Sequence, residues 1–461
     1  MQKRPKSNSD MKRLHTALAP IGLFVLLLLF SGCDKSVLEP IEGHASITAN
    51  EHGGEVAREW FKLICKVVKS TDGYYPPMAA RAFGHMGVVL YQTVQPGMAQ
   101  SASLAGQLNQ LSADKLPKTD PTRSYNWGIA ANAAMAQTMR NFFVNIKAKD
   151  QKSLDSLETY MMKVLSTNEK PETASLSVQF GKEMANAIFE WSKADGGHEG
   201  YLRPHDGLVS RSGEFAWQET GSGRGVGPKW GNNRLMVATN STAQIPAPHA
   251  FSTDPNSALY KEALEVYTQS QINTEDQKEI ARFWADDPFL TCTPTGHTFS
   301  ILTQLLEEDR ASLARSALAY AKMGIAENDA FIRCWWVKYE YFLLRPKTYI
   351  RRYIDPNWDT LIETPPFPAY VSGHSSEIGA ASKVFTSLFG ASRPFSDRTQ
   401  VYFGFSKTIR YYNTFEQVAL ESAFSRLYGG LHYRMDIERG LDLGRQIGDN
   451  VNRLNFGNPV L

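Results

Sequence analysis

An excess of charge of one sign is missing from this sequence: 49 Lys and Arg stand against 47 Asp and Glu, a formal net charge of +2 over 461 residues. That balance supplies no overall field for gathering nucleic acid or an anionic membrane surface, so any basic chemistry must be local. Cysteine is scarce as well. Its four copies, Cys33, Cys65, Cys292 and Cys334, form no C-x-x-C pair, which argues against a structural zinc site or a redox dithiol. After residue 33 no apolar run reaches the roughly 20 residues that a bilayer span needs. Strand-like alternation of a length to match the helical patterns is also absent. What the chain does have is 42% hydrophobic and only 21% charged residues, enough to bury a substantial core and to exclude disorder for most of its length.

The N-terminus departs from this balance. From Met11 the chain reads MKRLHTALAPIGLFVLLLLFSGC, with a basic start, an apolar run from Ile21 to Phe30, and Ser31 and Gly32 just before Cys33. The segment resembles a bacterial lipoprotein signal peptide over residues 1–33, with Met11 as its start and Cys33 as the lipidated mature N-terminus. An ordinary membrane anchor is the alternative, against which the run is short. Either reading puts the folded part outside the cytoplasm, lipid-anchored in the bacterial cell envelope at the periplasm or outer membrane. Residues 34–52 then read as a polar tether. Three cysteines remain, an odd number, so at least one is expected to be a buried thiol.

Helical periodicity dominates from there on. Apolar residues recur at helical spacing over 55–69, 78–93, 126–144, 154–165 and 173–193. From Asp195 to Ala247 the composition shifts to Gly, Pro, Asn and Trp, a long irregular segment of the kind that often covers a functional site. Helical patterns resume at 258–269, 274–284, 307–344, 375–389, 414–428 and 433–454. The expectation is an all-α protein, one helical domain over 53–461 built as two bundles sharing a core, with its chemistry between residues 335 and 436.

Three short segments carry that chemistry. In Lys338-YEYFLL-Arg345-Pro346, a spacing of seven places both cations on one helix face about 10 Å apart, and Pro346 stops the helix. In PPFPAYV-Ser372-Gly373-His374, a Pro-rich loop leads into a helix whose N-terminal N–H groups suit an oxyanion. There Gly373 permits close approach, Ser372 offers a hydroxyl and His374 an acid or base. In Ser425-Arg426-LYGGL-His432-YRM-Asp436, the double glycine breaks the helix so that Arg426 and His432 converge. Asp436 lies one turn beyond His432 and can fix its tautomer. Each segment alone has an ordinary reading, as a solvated helix face, an N-cap or a helix start. Their occurrence in one chain in this order argues for a shared anion site.

Together the segments resemble the signature of the superfamily that unites type 2 phosphatidic acid phosphatases, bacterial acid phosphatases and vanadium haloperoxidases: Lys-x6-Arg-Pro, Pro-Ser-Gly-His, and Ser-Arg-x5-His-x3-Asp. One position departs from it, Val371 where the family usually has Pro, which bears on loop stiffness more than on chemistry. The resemblance implies that Lys338, Arg345 and Arg426 clamp three charged oxygens, with Ser372 and the Gly373 amide as further donors. It makes His432 the vanadium ligand or, in a phosphatase, the nucleophile; His374 becomes the acid–base group, Asp436 the partner of His432, and Lys338 the group that polarises bound peroxide. The flanking PPFPAY run, Trp335 and Phe367 resemble vanadium chloroperoxidases and bacterial iodoperoxidases, where such aromatics form an apolar halide wall. FWADDP (283–288) resembles a segment whose acid buttresses the clamp, here Asp287. The function implied is oxidation of halide, iodide or bromide favoured, by hydrogen peroxide at a His-bound vanadate. The alternatives are an acid phosphatase working through a phosphohistidine and a surface lipoprotein that only binds an anion.

Overall fold

A computed structural model describes residues 46–220 and 223–459. The expected signal peptide, the lipidation site Cys33 and most of the expected tether lie outside the described residues. The end of that tether is not free: Ala49 is fully buried, its N–H donates to the Gly97 carbonyl (2.8 Å), and the His52 carbonyl accepts from Leu313 (2.8 Å). An apolar side chain and two long-range backbone bonds thus bind residues 46–52 to the body, where the sequence suggested a polar linker.

Among the described residues the chain forms fourteen α-helices and one two-stranded ladder. The N-terminal half contains α1 (Glu55–Ser70), α2 (Pro76–Val94), α3 (Trp127–Phe142), α4 (Ala148–Leu165) and α5 (Pro171–Lys193). Between α5 and α6 the described residues form no α-helix, but short 3₁₀ turns and an isolated bridge from Ala216 to Leu343. The C-terminal half begins with α6 (Ala258–Ile272), α7 (Glu275–Phe283), α8 (Thr293–Glu308), α9 (Leu313–Tyr341) and α10 (Pro346–Tyr353). It continues with α11 (Gly373–Phe389), β1 (Ser392–Asp397), α12 (Thr399–Tyr402), β2 (Arg410–Thr414), α13 (Phe415–Tyr428) and α14 (Arg434–Asn452). β1 and β2 pair antiparallel. One continuous apolar core joins both halves. Cys65, Cys292 and Cys334 are free buried thiols. No helix among the described residues is long and apolar enough to cross a membrane.

Two differences from the sequence reading have a physical cause. The expected helix over 307–344 is really the end of α8 followed by α9, separated at Ser312, whose hydroxyl caps α9 by accepting from the Arg315 N–H (3.1 Å). The body of α8 was not expected, because Thr293 through Thr303 are all buried, so the helix has no polar face to create a period.

Small residues let the central helices meet at backbone distance. Gly84 of α2 faces Gly324 of α9; a Cβ on Gly324 would stand 2.8 Å from the Gly84 Cα. Gly444 of α14 sits on α11, where an added Cβ would stand 2.1 Å from the Ser376 carbonyl oxygen. This contact holds α11 against α14, the helices that begin beside His374 and His432. Gly444→Ala is therefore expected to destabilise the fold by about 1–3 kcal/mol, read as a lower urea midpoint at unchanged m-value.

Candidate active site

The first cation is where the sequence places it and the second is not. Lys338 lies in the last turn of α9, fully buried, and its ammonium donates to the Pro368 (2.9 Å) and Ala369 (3.1 Å) carbonyls. Two of its three protons are thereby held, leaving one to aim at a ligand. α9, however, ends at Tyr341, where Phe342 turns left-handed (φ 52°) and donates its N–H back to the Lys338 carbonyl. Arg345 is extended (φ −75°, ψ 153°) and precedes Pro346, which opens α10. The shared helix face is thus corrected: Pro disfavours helical geometry in the residue before it, and the two cations meet by a chain turn instead.

Arg345 is anchored on three sides. Its Nε donates to the Phe367 carbonyl (2.8 Å) and its Nη1 to the Leu431 carbonyl (3.1 Å) and to His432 Nε2 (3.0 Å). Nη2 is buried with no partner. The Pro-rich loop therefore supplies carbonyls that fix both cations, while its end caps α11. Ser372 Oγ accepts from the Ser375 N–H (3.2 Å), and the Ser372 N–H donates to the Asp436 carbonyl (2.9 Å), tying the start of α11 to α14. Gly373 is the first residue of α11, so its N–H has no partner within the helix.

α13 ends at Tyr428, and Gly430 takes a positive φ of 81° that few side chains tolerate. The chain then reverses to present His432 just before α14. His432 Nδ1 lies 2.9 Å from Asp436 Oδ2. Because a guanidinium can only donate, the Arg345 contact requires an unprotonated Nε2; the proton is on Nδ1, directed at Asp436. Arg426, in the last turn of α13, donates from Nη1 to the Trp284 carbonyl (2.9 Å), and its Nε is buried without a partner. His374 Nε2 is likewise buried and unpartnered.

Electrostatics show that these groups share one site. Burial, then Arg345, Lys338, Arg426 and His374, holds the His432 imidazole well below its ordinary range. Burial, Arg426, His297 and Lys338 depress His374 in the same way. Both rings are neutral at pH 7. Burial pulls Arg345 down to about 9 and Arg426 to about 10, and it pushes the Asp436 carboxyl up to about 8 against the pull of Lys338 and Arg345. Three buried cations with unpartnered donors fit a small, multiply charged oxyanion, which would satisfy all of them at once.

Lys338 gives this fit a measurable sign. Burial lowers its ammonium to about 7, so without an anion it is charged below pH 7 and largely neutral above. An oxyanion favours the charged form and raises the pKa. Binding should therefore take up about one proton at pH 8 and almost none at pH 6. Calorimetry with sulfate, which does not itself titrate in this range, in buffers of different ionisation enthalpy checks this; equal uptake at both pH values would contradict it.

The remaining expected residues surround the cup. Trp335 and Phe367 form a wall, ring centroids 5.0 Å apart, with the Lys338 ammonium 5.1 Å from the Phe367 centroid. The long irregular segment braces that wall, since the Val226 carbonyl accepts from Trp335 Nε1 (3.1 Å) and the Tyr339 hydroxyl (2.7 Å). Asp287 is largely buried and acts on Arg426 through charge, as does its neighbour Asp286. The sequence reading missed Trp284, whose carbonyl holds Arg426, because a backbone oxygen leaves no mark in a motif.

Residues 318–456 match the family model described as the VCPO second helical-bundle domain. A bacterial vanadium-dependent iodoperoxidase superposes with a TM-score of 0.80 at 33% identity, covering 88% of this chain and 98% of that one. Two bacterial vanadium-dependent chloroperoxidase structures share the fold: the apo form (TM-score 0.65, 16% identity, 88% and 98% covered) and the holo form (0.62, 17%, 84% and 94%). No curated protein matches. With 33% identity to the iodoperoxidase across 88% of its own length and 98% of that protein's, and a buried cationic cup in its C-terminal helices, this chain belongs to the vanadium-dependent haloperoxidase family and is an enzyme of that kind.

Proposed function

We propose that the enzyme holds vanadate in the cup and oxidises iodide with hydrogen peroxide. The observation that carries the vanadate assignment is the set of buried unpartnered donors on Arg345 and Arg426 beside a neutral His432 whose Nε2 lone pair faces the same space. Bound there, vanadate would supply a Lewis-acidic centre that makes peroxide oxygen electrophilic. His432 would be its ligand through Nε2, with Asp436 keeping the proton on Nδ1. Lys338, Arg345 and Arg426 would neutralise the oxygens, and the Ser372 hydroxyl and Gly373 N–H would add neutral donors. His374 Nε2, neutral and unpartnered, is suited to take a proton from incoming peroxide and return it. Lys338 would hydrogen-bond peroxide while Trp335 and Phe367 keep water from the side where halide attacks.

Iodide is preferred because the 33%-identical relative is an iodoperoxidase and iodide is the halide easiest to oxidise. The test is triiodide formation from iodide and peroxide, with and without added vanadate, beside hydrolysis of a phosphate ester. Vanadate-dependent iodide oxidation is expected; ester hydrolysis without it would overturn the reading. We also propose, from the sequence alone, that Cys33 carries a lipid anchoring the enzyme to the cell envelope. Cys33→Ser is expected to move the enzyme from the membrane fraction to the soluble one, and continued membrane retention would count against lipidation.

A further inference from the structure

Beside the cup lies a second buried charge cluster that the motif pattern does not contain. His297, on the first turns of α8, is 1% exposed. Its Nδ1 lies 2.9 Å from both carboxylate oxygens of Asp286, and its Nε2 lies 2.8 Å from Asp397 Oδ2 at the end of β1. Each ring nitrogen thus faces an acceptor, so both are placed to donate and the ring is an imidazolium between two carboxylates. Burial opposes that charge, but Asp286 and Asp397 outweigh it and lift the imidazole to about 10. Nothing in the proposed reaction uses this histidine directly.

Its flat face carries the connection to the site. The His297 ring stacks on the Trp284 indole, centroids 4.2 Å apart and planes within 13°. Trp284 is held at its edge as well, its Nε1 donating to Glu421 on α13 (3.0 Å). A side chain fixed on face and edge fixes its own backbone. The Trp284 carbonyl accepts from Arg426 Nη1 (2.9 Å). That peptide oxygen therefore orients one of the anion clamps.

We propose that His297, clamped between Asp286 and Asp397 and stacked under Trp284, is a positioning residue for the oxyanion cup: through the Trp284 carbonyl it sets the direction of Arg426. The triad draws from three separate stretches, the loop after α7, α8 and β1, so the halide wall of Trp335 and Phe367 is built independently of it. The inference rests on the anion-binding reading of the cup, and it predicts a pattern that simple loss of packing does not. Arg426 governs the grip on the anion and the neutralisation of its charge, so both vanadate affinity and turnover should suffer while halide KM stays.

The experiment compares His297→Ala, His297→Gln and Asp397→Asn with Leu154→Ala, a fully buried control on α4. All are measured well below their melting temperatures. Vanadate and sulfate Kd come from calorimetry on the unloaded protein, and kcat and iodide KM are taken at saturating vanadate. Loss of an outer hydrogen-bonding partner typically weakens a bound metal about 10–100-fold. His297→Ala should weaken both anions at least about tenfold and lower kcat at unchanged iodide KM, with Gln and Asp397→Asn intermediate. Leu154→Ala should lower the melting temperature and leave both Kd values alone. If the His297 variants lose thermal stability but bind both anions as the parent does, the triad is only structural and the proposal falls. If the parent binds sulfate but not vanadate, the vanadate reading fails, while the sulfate arm still decides the role of His297. Should His297→Ala not fold, the two conservative variants carry the same comparison.

Discussion

Replacing His432 by alanine is expected to abolish vanadate-dependent iodide oxidation, with a loss of at least about a thousandfold that no vanadate concentration restores. The side chain is the one group of the cup proposed to bond vanadium itself, and its Nε2 is kept as a lone pair by Asp436 on the far side of the ring. Outer partners such as Asp436 are typically worth about 10–100-fold in metal affinity. The ligand itself must be worth more, so Asp436→Asn should be the milder change of the two. Alanine at 432 also frees Arg345 Nη1 from its 3.0 Å contact, leaving that guanidinium to the Leu431 carbonyl and the anion. Residual anion binding without turnover is therefore the expected phenotype. It is read by calorimetry and peroxide-plus-iodide kinetics on the same sample, and retained turnover at saturating vanadate would remove His432 from the centre.

The second large effect is at Arg345. Its Nε and Nη1 are committed to the Phe367 and Leu431 carbonyls, so the head is rigid and Nη2 is the buried donor left without a partner. Removing one pre-aimed donor to a charged oxygen costs about 10²–10³ in turnover in enzymes where it has been isolated, and Arg345→Ala should fall in or above that range. Lysine should not rescue it. A lysine ammonium cannot reproduce the planar fork that spans Phe367, Leu431 and the ligand, and burial would pull its charge down as it does at Lys338. Activity of Arg345→Lys within about threefold of the parent would show that only the charge at this position matters, contrary to the fork geometry.

How much of this was legible in the sequence follows from how each feature is made. The cup groups were legible because each is a side chain whose chemistry is local: Lys338, Arg345, Ser372, His374, Arg426 and His432 sit in three short stretches, and Asp436 is one turn from its partner. The Gly429–Gly430 break worked as read, since Gly430 occupies a conformation that other residues resist. What was not legible depends on the rest of the fold. That α9 stops at Tyr341 follows from Phe342 turning left-handed under tertiary packing, and no propensity announces it. α8 hides because a helix buried on all sides has no alternation of polar and apolar faces. The His297 triad hides for a third reason: its carboxylates come from residues 11 and 100 positions away, a distance at which spacing carries no signal.

The central claim is that three buried cations and two neutral histidines close on one oxyanion. A crystal structure of the enzyme loaded with vanadate tests it most directly. It should place one vanadium per chain within bonding distance of His432 Nε2, its oxygens contacted by Lys338, Arg345 and Arg426, with Arg345 Nη1 turned from the imidazole to an oxygen. Vanadium found elsewhere, or bound with the Arg345–His432 contact intact, would contradict it.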